Sequence, residues 1–322
     1  MTYSKDMLHK AYRTMKTIRL FEEKCEKEFT QGNIPGFVHL YAGQEAVAVG
    51  ACTHLSIEDK IASTHRGHGH CIAKGCDVRG MMHEIMGKAD GLCKGKGGSM
   101  HIADLSKGML GANAIVGGGP PTAVGAALSA KTLGTNNVAV AFSGDGASNQ
   151  GTTFEAMNMA VVLQVPAIFL FENNGYGEHT GAEYAVGSND IAGRAASFGM
   201  PAYTCDGTNF FDVYETMDKA IQETRNGNGP CAIEAKAVRY GGHFIGDPEN
   251  YRAEGEHDDL RANKDCLKIF RAKATTDHDI TDAELDSIDK EVEELIESCA
   301  ESGKAAPLPD VSELTTDVYI SY

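Results

Sequence analysis

Two short runs of apolar residues, 138–142 and 167–171, constrain the fold of this chain more than any other feature. Neither run shows the polar alternation of a half-exposed strand, so both are typical of strands buried on both faces of a parallel sheet. Residues 154–163 between them have the character of a helix. Strand, helix and strand in this order form a βαβ unit, whose crossover is right-handed almost without exception. We therefore expect an α/β fold, with a parallel sheet that has helices on both faces.

The rest of the chain is predicted to add further elements to this unit. The glycine-rich stretch 87–119 is expected to be loop, because so many glycines disfavour regular structure. We find no internal repeat or linker, and we expect residues 1–322 to form a single domain. The further predicted elements are an amphipathic helix at 4–31, helices at 44–52 and 121–131, a strand at 231–238, a helix from residue 281 to 299 that begins with a Thr281/Glu284 capping box, and a C-terminal arm that completes the segment 281–322.

The charge of the chain limits the partners that it can have. The net charge is −16, which argues against nucleic acid or an anionic membrane as the main partner. Residues 60–107 reverse this balance, with eight Lys/Arg and five His against four Asp/Glu. Such a stretch indicates either a site for a small anionic ligand or a solvated basic face, and both alternatives stay open at this point.

The cysteines and the apolar segments indicate a cytoplasmic protein. The nine cysteines form no Cys-x-x-Cys pair, and their odd number is typical of reduced thiols rather than of a disulfide framework. No stretch of 18 apolar residues is present, and the N-terminal residues do not have the pattern of a signal peptide. We therefore expect neither a membrane span nor secretion.

Polar residues follow both apolar runs at the point where each predicted strand ends. Asp145 lies between two glycines after the first run, and Asn173 and Asn174 follow the second. Because ligands of parallel sheets bind beyond the carboxyl ends of the strands, these side chains are expected to meet there. A carboxylate, an amide oxygen and a main-chain carbonyl are suitable for Mg²⁺ that also binds phosphate oxygens, and the N-terminus of the following helix favours an anion. Gly-Asp-Gly at 144–146 or Asn-Asn-Gly at 173–175 alone is most often a turn, but their joint placement after two buried strands favours a binding site.

The same spacing, Gly-Asp-Gly and then about 26 residues before Asn-Asn, resembles the signature of thiamine-diphosphate enzymes. Nearly the whole chain is similar to the alpha subunits of the acetoin and two-oxoacid dehydrogenase complexes, and hence to their thiamine-diphosphate-binding fold. The stretches that carry this resemblance are "GDGASNQGTTFEAMNMAVVLQVPAIFLFENNGYG", "KGKGGSMHIAD", "IVGGG" and "RYGGHFIGDPENYR".

The resemblance implies two cofactors, thiamine diphosphate and Mg²⁺. It assigns the metal to the side chains of Asp145 and Asn174 and to the main-chain carbonyl of Tyr176. It assigns the diphosphate to the N–H groups of Gly146 and Ala147, whereas Asn173 is expected only to brace the loop. The other cofactor-binding residues that it implies are Ala114, Val116, His65, Arg66 and His243.

Three histidines are implied to be catalytic, namely His39, His65 and His243. His65 stands where pyruvate-specific relatives usually have tyrosine, and Phe244 stands where they commonly have serine. Together with the similarity of residues 63–113, these differences favour acetoin as the substrate. Pyruvate and branched-chain two-oxoacids are the alternatives.

His68 and His70 near His65 have three possible roles. Packing or a surface position is favoured over a place at the mouth of the active site. A zinc cluster with Cys71 and Cys76 is disfavoured, because Gly67 and Gly69 separate the histidines without a helix to orient them.

The resemblance also implies partners. A beta subunit would complete the pyrimidine half of the site in an α2β2 heterotetramer, and a lipoyl-bearing acyltransferase would accept the two-carbon unit. We expect the chain to be inactive alone, with 121–131 and the C-terminal arm as subunit contacts. The alternatives are a stand-alone enzyme of transketolase type, which the length disfavours, and a catalytically silent homologue, which the presence of the motif residues disfavours.

Overall fold

A computed structural model describes residues 3–319; positions 1, 2 and 320–322 of the predicted domain lie outside this range. The α-helices are α1 (Lys5–Thr30), α2 (Glu45–Cys52), α3 (His68–Lys74), α4 (Val78–Ile85), α5 (Gly119–Thr132), α6 (Gly151–Leu163), α7 (Ala182–Ala185), α8 (Ile191–Ala196), α9 (Phe210–Arg225), α10 (Glu256–Asn263), α11 (Cys266–Asp277) and α12 (Asp282–Ala305). The strands are β1 (Lys60–Ala62), β2 (Met109–Gly111), β3 (Ala139–Gly144), β4 (Ala167–Asn173), β5 (Tyr176–Gly177), β6 (Thr180–Gly181), β7 (Ala202–Asp206) and β8 (Cys231–Lys236). Three short 3-10 helices cover Leu105–Lys107, Gly146–Asn149 and Val311–Thr315.

Six of these strands form a sheet in the order β2-β1-β3-β4-β8-β7, and every neighbouring pair is parallel. The two apolar runs of the sequence are β3 and β4, which lie side by side at its centre. Their register pairs Gly144 with Glu172, so the two strands end at the same edge. This confirms the predicted βαβ unit and the parallel α/β fold.

Alternate residues of the central strands enter two separate apolar clusters. Val140 and Phe142 of β3 pack with α1, α2 and α9 on one face of the sheet. Ala139 and Ala141 of the same strand pack with α5, α6 and α8 on the other face. Both faces of the sheet are therefore covered by helices, which is why its central strands have no polar alternation.

The glycine-rich stretch 87–119 differs from the expectation of loop alone. It contains the edge strand β2, the 3-10 helix Leu105–Lys107 and the first residue of α5. The turns that precede β2 are held by one buried carboxylate. Glu84 of α4 accepts hydrogen bonds from the N–H groups of Cys93, Gly95, Gly97 and Gly98 at 2.7–3.0 Å. A distant side chain thus fixes a backbone whose own residues specify little.

The two terminal segments pack against each other. Helix α1 contacts α12, and the Thr281/Glu284 capping box is present at the start of α12 as predicted. After α12 the chain is extended as far as the 3-10 helix Val311–Thr315. Asp317 then binds the ammonium groups of Lys94 and Lys96 at 2.9 and 3.0 Å, so the arm lies against the glycine-rich stretch.

Candidate active site

The carboxyl ends of β3 and β4 open into a cavity of about 300 Å³. Asp145 immediately follows β3, and Asn174 immediately follows β4, so both line this cavity as the parallel register requires. Most of the residues implied by the sequence resemblance line it as well. They are His65, Arg66, Val116, Asp145, Gly146, Ala147, Asn174, Tyr176 and His243.

Asp145 is a buried carboxyl group that points at the cavity. Its side chain is 2% exposed, and burial raises its pKa to about 6, although the N–H of Asn174 and the charge of Arg239 oppose this rise. A divalent cation beside the carboxylate would stabilise its ionised form. The group is therefore suited to a metal ion.

The two asparagines after β4 have different surroundings. Asn174 donates from Nδ2 to Oε1 of Gln44 at 2.9 Å, and its Oδ1 accepts from the N–H of Tyr176 at 3.2 Å. These bonds fix the amide and leave one oxygen lone pair for a metal. Asn173 instead donates to Glu234 at 2.8 Å and accepts from the N–H of Gly175 at 3.3 Å, in agreement with a bracing role.

The backbone approaches itself closely beside Asp145. A Cβ atom on Gly177 would lie 3.3 Å from Cα of Gly146, so glycine allows this contact between the two loops. The segment after Asp145 is a 3-10 helix, Gly146–Asn149, and α6 begins at Gly151. Gly146 and Ala147 occupy its first turn, where N–H groups lack acceptors within the helix.

Two buried guanidinium groups add positive charge to the cavity. Arg66 donates to the carbonyl of Leu40 at 2.5 Å and to that of His243 at 2.9 Å. Arg239 donates to the carbonyl of Gly241 and to the hydroxyl of Tyr251. Burial and their mutual repulsion lower the pKa of Arg66 to about 9, and burial also lowers that of Arg239. An anion in the cavity would relieve this repulsion.

The three predicted catalytic histidines form one cluster. The ring of His39 lies 4.7 Å from that of His65 and 4.9 Å from that of His243, measured between centroids, and the last two are 5.2 Å apart. Burial, with repulsion by Arg66, lowers their pKa values to about 3, 2 and 4 for His39, His65 and His243. All three are consequently uncharged at neutral pH.

His68 and His70 have structural partners and lie in a helix, α3, which the sequence did not suggest. His68 contacts Glu22 at 3.0 Å and Ser99 at 2.9 Å, and both ring nitrogens of His70 are used by Ser63 and Glu172. Both rings are fully buried. They agree with the packing role that the sequence favoured.

Two implied residues do not line the cavity, and several residues that do line it were not predicted to be there. Ala114 is half-buried beside Asn113 and Ile115, which do line it, and His39 lies behind His65 and His243. Arg239, Gln44 and Glu172 were not identified from the sequence. Arg239 and Glu172 lie within the stretches that carry the resemblance, and their charge directly after predicted buried strands was the available signal. Gln44 is identified only by its bond to Asn174.

The arrangement fits a metal-bound diphosphate. The oxygen donors of Asp145 and Asn174 are hard ligands, the N–H groups of Gly146 and Ala147 are in a first turn, and two guanidinium groups supply positive charge. The close approach of Gly146 and Gly177 leaves no side chain between these groups.

Comparison with known proteins agrees with this chemistry. The profile of the family described as "Dehydrogenase E1 component" matches residues 13–312. The chain belongs to this family. Enzymes of the E1 family depend on thiamine diphosphate, and the predicted fold and enzyme class are thereby confirmed.

Relatives of this E1 chain include alpha subunits named for acetoin and alpha subunits named for pyruvate. The chain is 55% identical to the alpha subunit of acetoin:2,6-dichlorophenolindophenol oxidoreductase of Cupriavidus necator, with 99% of this chain and 96% of that protein covered. It is 53% identical to the protein of the same name from Bacillus subtilis, with 97% and 93% covered. The alpha subunit of the pyruvate dehydrogenase E1 component of Rhizobium meliloti is 41% identical, with 99% and 91% covered.

Within residues 3–319, no helix of this E1 chain combines the length and the apolar character that crossing a bilayer requires.

Proposed function

We propose that this chain is the alpha subunit of a thiamine-diphosphate-dependent acetoin dehydrogenase, which cleaves acetoin and transfers the two-carbon unit to lipoamide or to an artificial acceptor. The two relatives above 50% identity are alpha subunits named for acetoin, and this supports acetoin over pyruvate. The second candidate is an alpha subunit of pyruvate dehydrogenase, which the 41% identity to the Rhizobium meliloti protein favours over a branched-chain enzyme.

The observation that carries the proposal is the cluster of His39, His65 and His243. The uncharged imidazoles of His65 and His243 line the cavity and can donate to and accept from the hydroxyl and carbonyl groups of a neutral substrate, while His39 packs against both rings. A two-oxoacid carboxylate would need a cation beyond Arg66 and Arg239, whose positive charge the diphosphate would already use. These interactions support a hydroxyketone as the substrate.

Other residues of the cavity would hold the cofactor. Asp145, Asn174 and the carbonyl of Tyr176 would bind Mg²⁺, and the N–H groups of Gly146 and Ala147 would bind the diphosphate. When bound, thiamine diphosphate supplies an electron sink for the carbanion that remains after cleavage of the carbon–carbon bond. The protein binds the diphosphate, orients the substrate through the histidines and excludes water from the cavity.

We further propose a beta subunit in an α2β2 heterotetramer, and a lipoyl-bearing acyltransferase as acceptor. The exposed apolar side chains of α5, α6 and the C-terminal arm support subunit contacts there. They are Leu128 of α5 and Leu133 directly after it, Met159 and Val162 of α6, and Leu308, Val311 and Leu314 of the arm. All nine cysteines are free thiols, eight of them buried, which supports a cytoplasmic location.

The test is co-expression with an E1 beta subunit from the same organism, followed by dye reduction with thiamine diphosphate and Mg²⁺. We expect acetoin to give a higher kcat/KM than pyruvate or a branched-chain two-oxoacid. A preference for pyruvate would overturn the assignment of acetoin while leaving the alpha-subunit role intact.

The requirement for a second chain is tested separately. We expect the purified chain alone to give no turnover with any of these substrates, because the residue that activates the aminopyrimidine ring would come from the partner. Full activity of the single chain would contradict the heterotetramer.

A further inference from the structure

The histidine cluster is also a set of nitrogen donors arranged around one point. One ligand nitrogen from each of His39, His65 and His243 can be chosen so that all three lie within 4.8 Å of one another. Zinc with Zn–N bonds of about 2.0–2.1 Å needs nitrogens about 3.4 Å apart in tetrahedral geometry. Ring rotations that move each nitrogen by about an ångström would therefore bring the three donors to the spacing that a metal ion requires.

Two ring nitrogens of the cluster are free to bind. Among the described residues, no hydrogen-bond partner faces the Nδ1 atom of His39 or that of His243. The side chain of His39 is 8% exposed, so water cannot readily replace the missing partner. A buried nitrogen without a partner carries a free-energy cost that a metal ion would remove. All three imidazoles are uncharged, which is the form that binds metals.

One side chain ties together the three segments that carry the histidines. Arg66, which follows His65, donates to the carbonyl of Leu40, which follows His39, and also to the carbonyl of His243 itself. The donor set is thus held by bonds that do not use the imidazole nitrogens. Such support of the ligands by neighbouring hydrogen bonds is typical of metal sites in proteins.

We propose that His39, His65 and His243 form a binding site for a borderline divalent metal ion such as Zn²⁺, separate from the oxygen ligands of Asp145 and Asn174. Three imidazoles select Zn²⁺, Co²⁺ or Ni²⁺ and bind Mg²⁺ poorly. A fourth ligand would be water, hydroxide or an anion, and the positive charge of Arg66 and Arg239 would favour a negatively charged one. Since His65 and His243 line the cavity, an ion held here closes it to substrate, and Zn²⁺ becomes a reversible inhibitor.

Co²⁺ is the probe that tests the site, because its visible absorption reports the ligands. The full chain, without added cofactor, is titrated with Co²⁺ and then with competing ions. We expect one Co²⁺ per chain with the visible bands of four-coordinate nitrogen and oxygen ligation and without a thiolate charge-transfer band. Stoichiometric Zn²⁺ should remove the spectrum, and a large excess of Mg²⁺ should not.

The variants His39→Gln, His65→Gln and His243→Gln each remove one donor, and each is expected to weaken Co²⁺ binding at least about tenfold. The matched control is His101→Gln, because His101 is exposed and outside the cluster; it should bind Co²⁺ as the unmodified chain does. Circular dichroism verifies that each variant is folded. His65→Tyr is a second variant at this position, which removes the nitrogen donor but keeps an aromatic ring.

Two comparisons separate this site from others. Asp145→Asn should retain the Co²⁺ spectrum, because the carboxylate is not a ligand in this proposal. In the assembled enzyme, Zn²⁺ should reduce the dye-reduction rate, a chelator should restore it, and excess Mg²⁺ should not. Absence of Co²⁺ binding, binding that the histidine variants do not weaken, loss of the spectrum in Asp145→Asn or a thiolate band would each overturn the proposal.

Discussion

Asp145 and Asn174 are 29 positions apart in the chain and adjacent at the sheet edge, because β3 and β4 are parallel neighbours. Asp145 is buried, while Asn174 is held by Gln44 and by the N–H of Tyr176. Both oxygens are therefore fixed before a ligand arrives. Such preorganisation reduces the entropy lost on binding.

We predict that Asp145→Asn abolishes Mg²⁺-dependent binding of thiamine diphosphate, because it replaces the charged ligand by a neutral amide, and that Asn174→Ala weakens it at least about tenfold, because it removes an amide oxygen. The measurement is calorimetric titration of the chain together with its beta partner. Unchanged affinity in either variant would refute the ligand assignment.

Asn173→Ala is the matched control for Asn174→Ala. It removes the bonds to Glu234 and Gly175 but leaves Asn174 in place. We expect a lower midpoint of thermal unfolding with the Mg²⁺ dependence of cofactor binding retained. The comparison of these two variants therefore distinguishes a residue that supports the loop from one that binds the metal.

The histidine cluster gives the chain a pH-dependent stability. The pKa values of His39, His65 and His243 are lowered to about 4 or below, whereas the unfolded chain binds protons on histidine near pH 6.5. Because the unfolded state binds more protons, the free energy of unfolding should decrease as pH falls from about 6.5 towards 4. Each histidine contributes at most about 1.4 kcal/mol per pH unit.

Urea unfolding between pH 7.5 and 5 checks this dependence. His39→Gln should reduce the slope of unfolding free energy against pH, whereas His101→Gln, at an exposed position, should leave it unchanged. Equal slopes in the two variants would mean that the cluster does not titrate as inferred.

At the scale of elements, α4 determines the conformation of the glycine-rich stretch through Glu84. This buried carboxylate accepts from four N–H groups of residues 93–98, and Gly91 passes so close that a Cβ there would lie 2.5 Å from its Oε2. Hydrogen bonds to a charged acceptor are among the stronger ones in proteins. The loop therefore depends on α4 and not on its own side chains.

We predict that Glu84→Gln lowers the free energy of unfolding by about 2–4 kcal/mol, because the amide has one acceptor oxygen and places its NH₂ against main-chain donors. The measurements are urea unfolding and the hydrogen-exchange rates of Gly95 and Gly97. Glu58→Gln, at an exposed position, is the control and should change stability by less than about 0.5 kcal/mol. Loss of stability without faster exchange at Gly95 and Gly97 would argue against this role.

At the scale of the molecule, the helices on both faces share one sheet, and the terminal helices α1 and α12 pack together. The prediction that residues 1–322 form a single domain follows from this arrangement. Calorimetry should show one unfolding transition with equal calorimetric and van't Hoff enthalpies. Two separable transitions would contradict a single domain.

Local patterns predicted the parts of this fold that depend on nearby residues. The central strands, helix α1 and the capping box of α12 were predicted because apolar periodicity and cap residues act over a few positions. The glycine-rich stretch was wrongly expected to be loop alone, because the pairing of β2 with β1 depends on residues far away in the chain. Helix α3 was missed for a related reason, since Gly67 and Gly69 weaken its local signal while His68 and His70 are held by distant partners.

The α/β class, the positions of Asp145 and Asn174 after two buried strands and, through resemblance, the family and its implied histidines could all be predicted before folding was considered. That β3 and β4 are neighbours, that Arg239, Gln44 and Glu172 line the cavity and that three histidines surround one point became apparent only in the folded chain. The difference arises from the distance along the chain over which the interactions act. Strand and turn preferences are set by neighbouring residues, whereas the three histidines follow a loop, β1 and β8 and meet only after the sheet register and the bonds of Arg66 have brought these segments together.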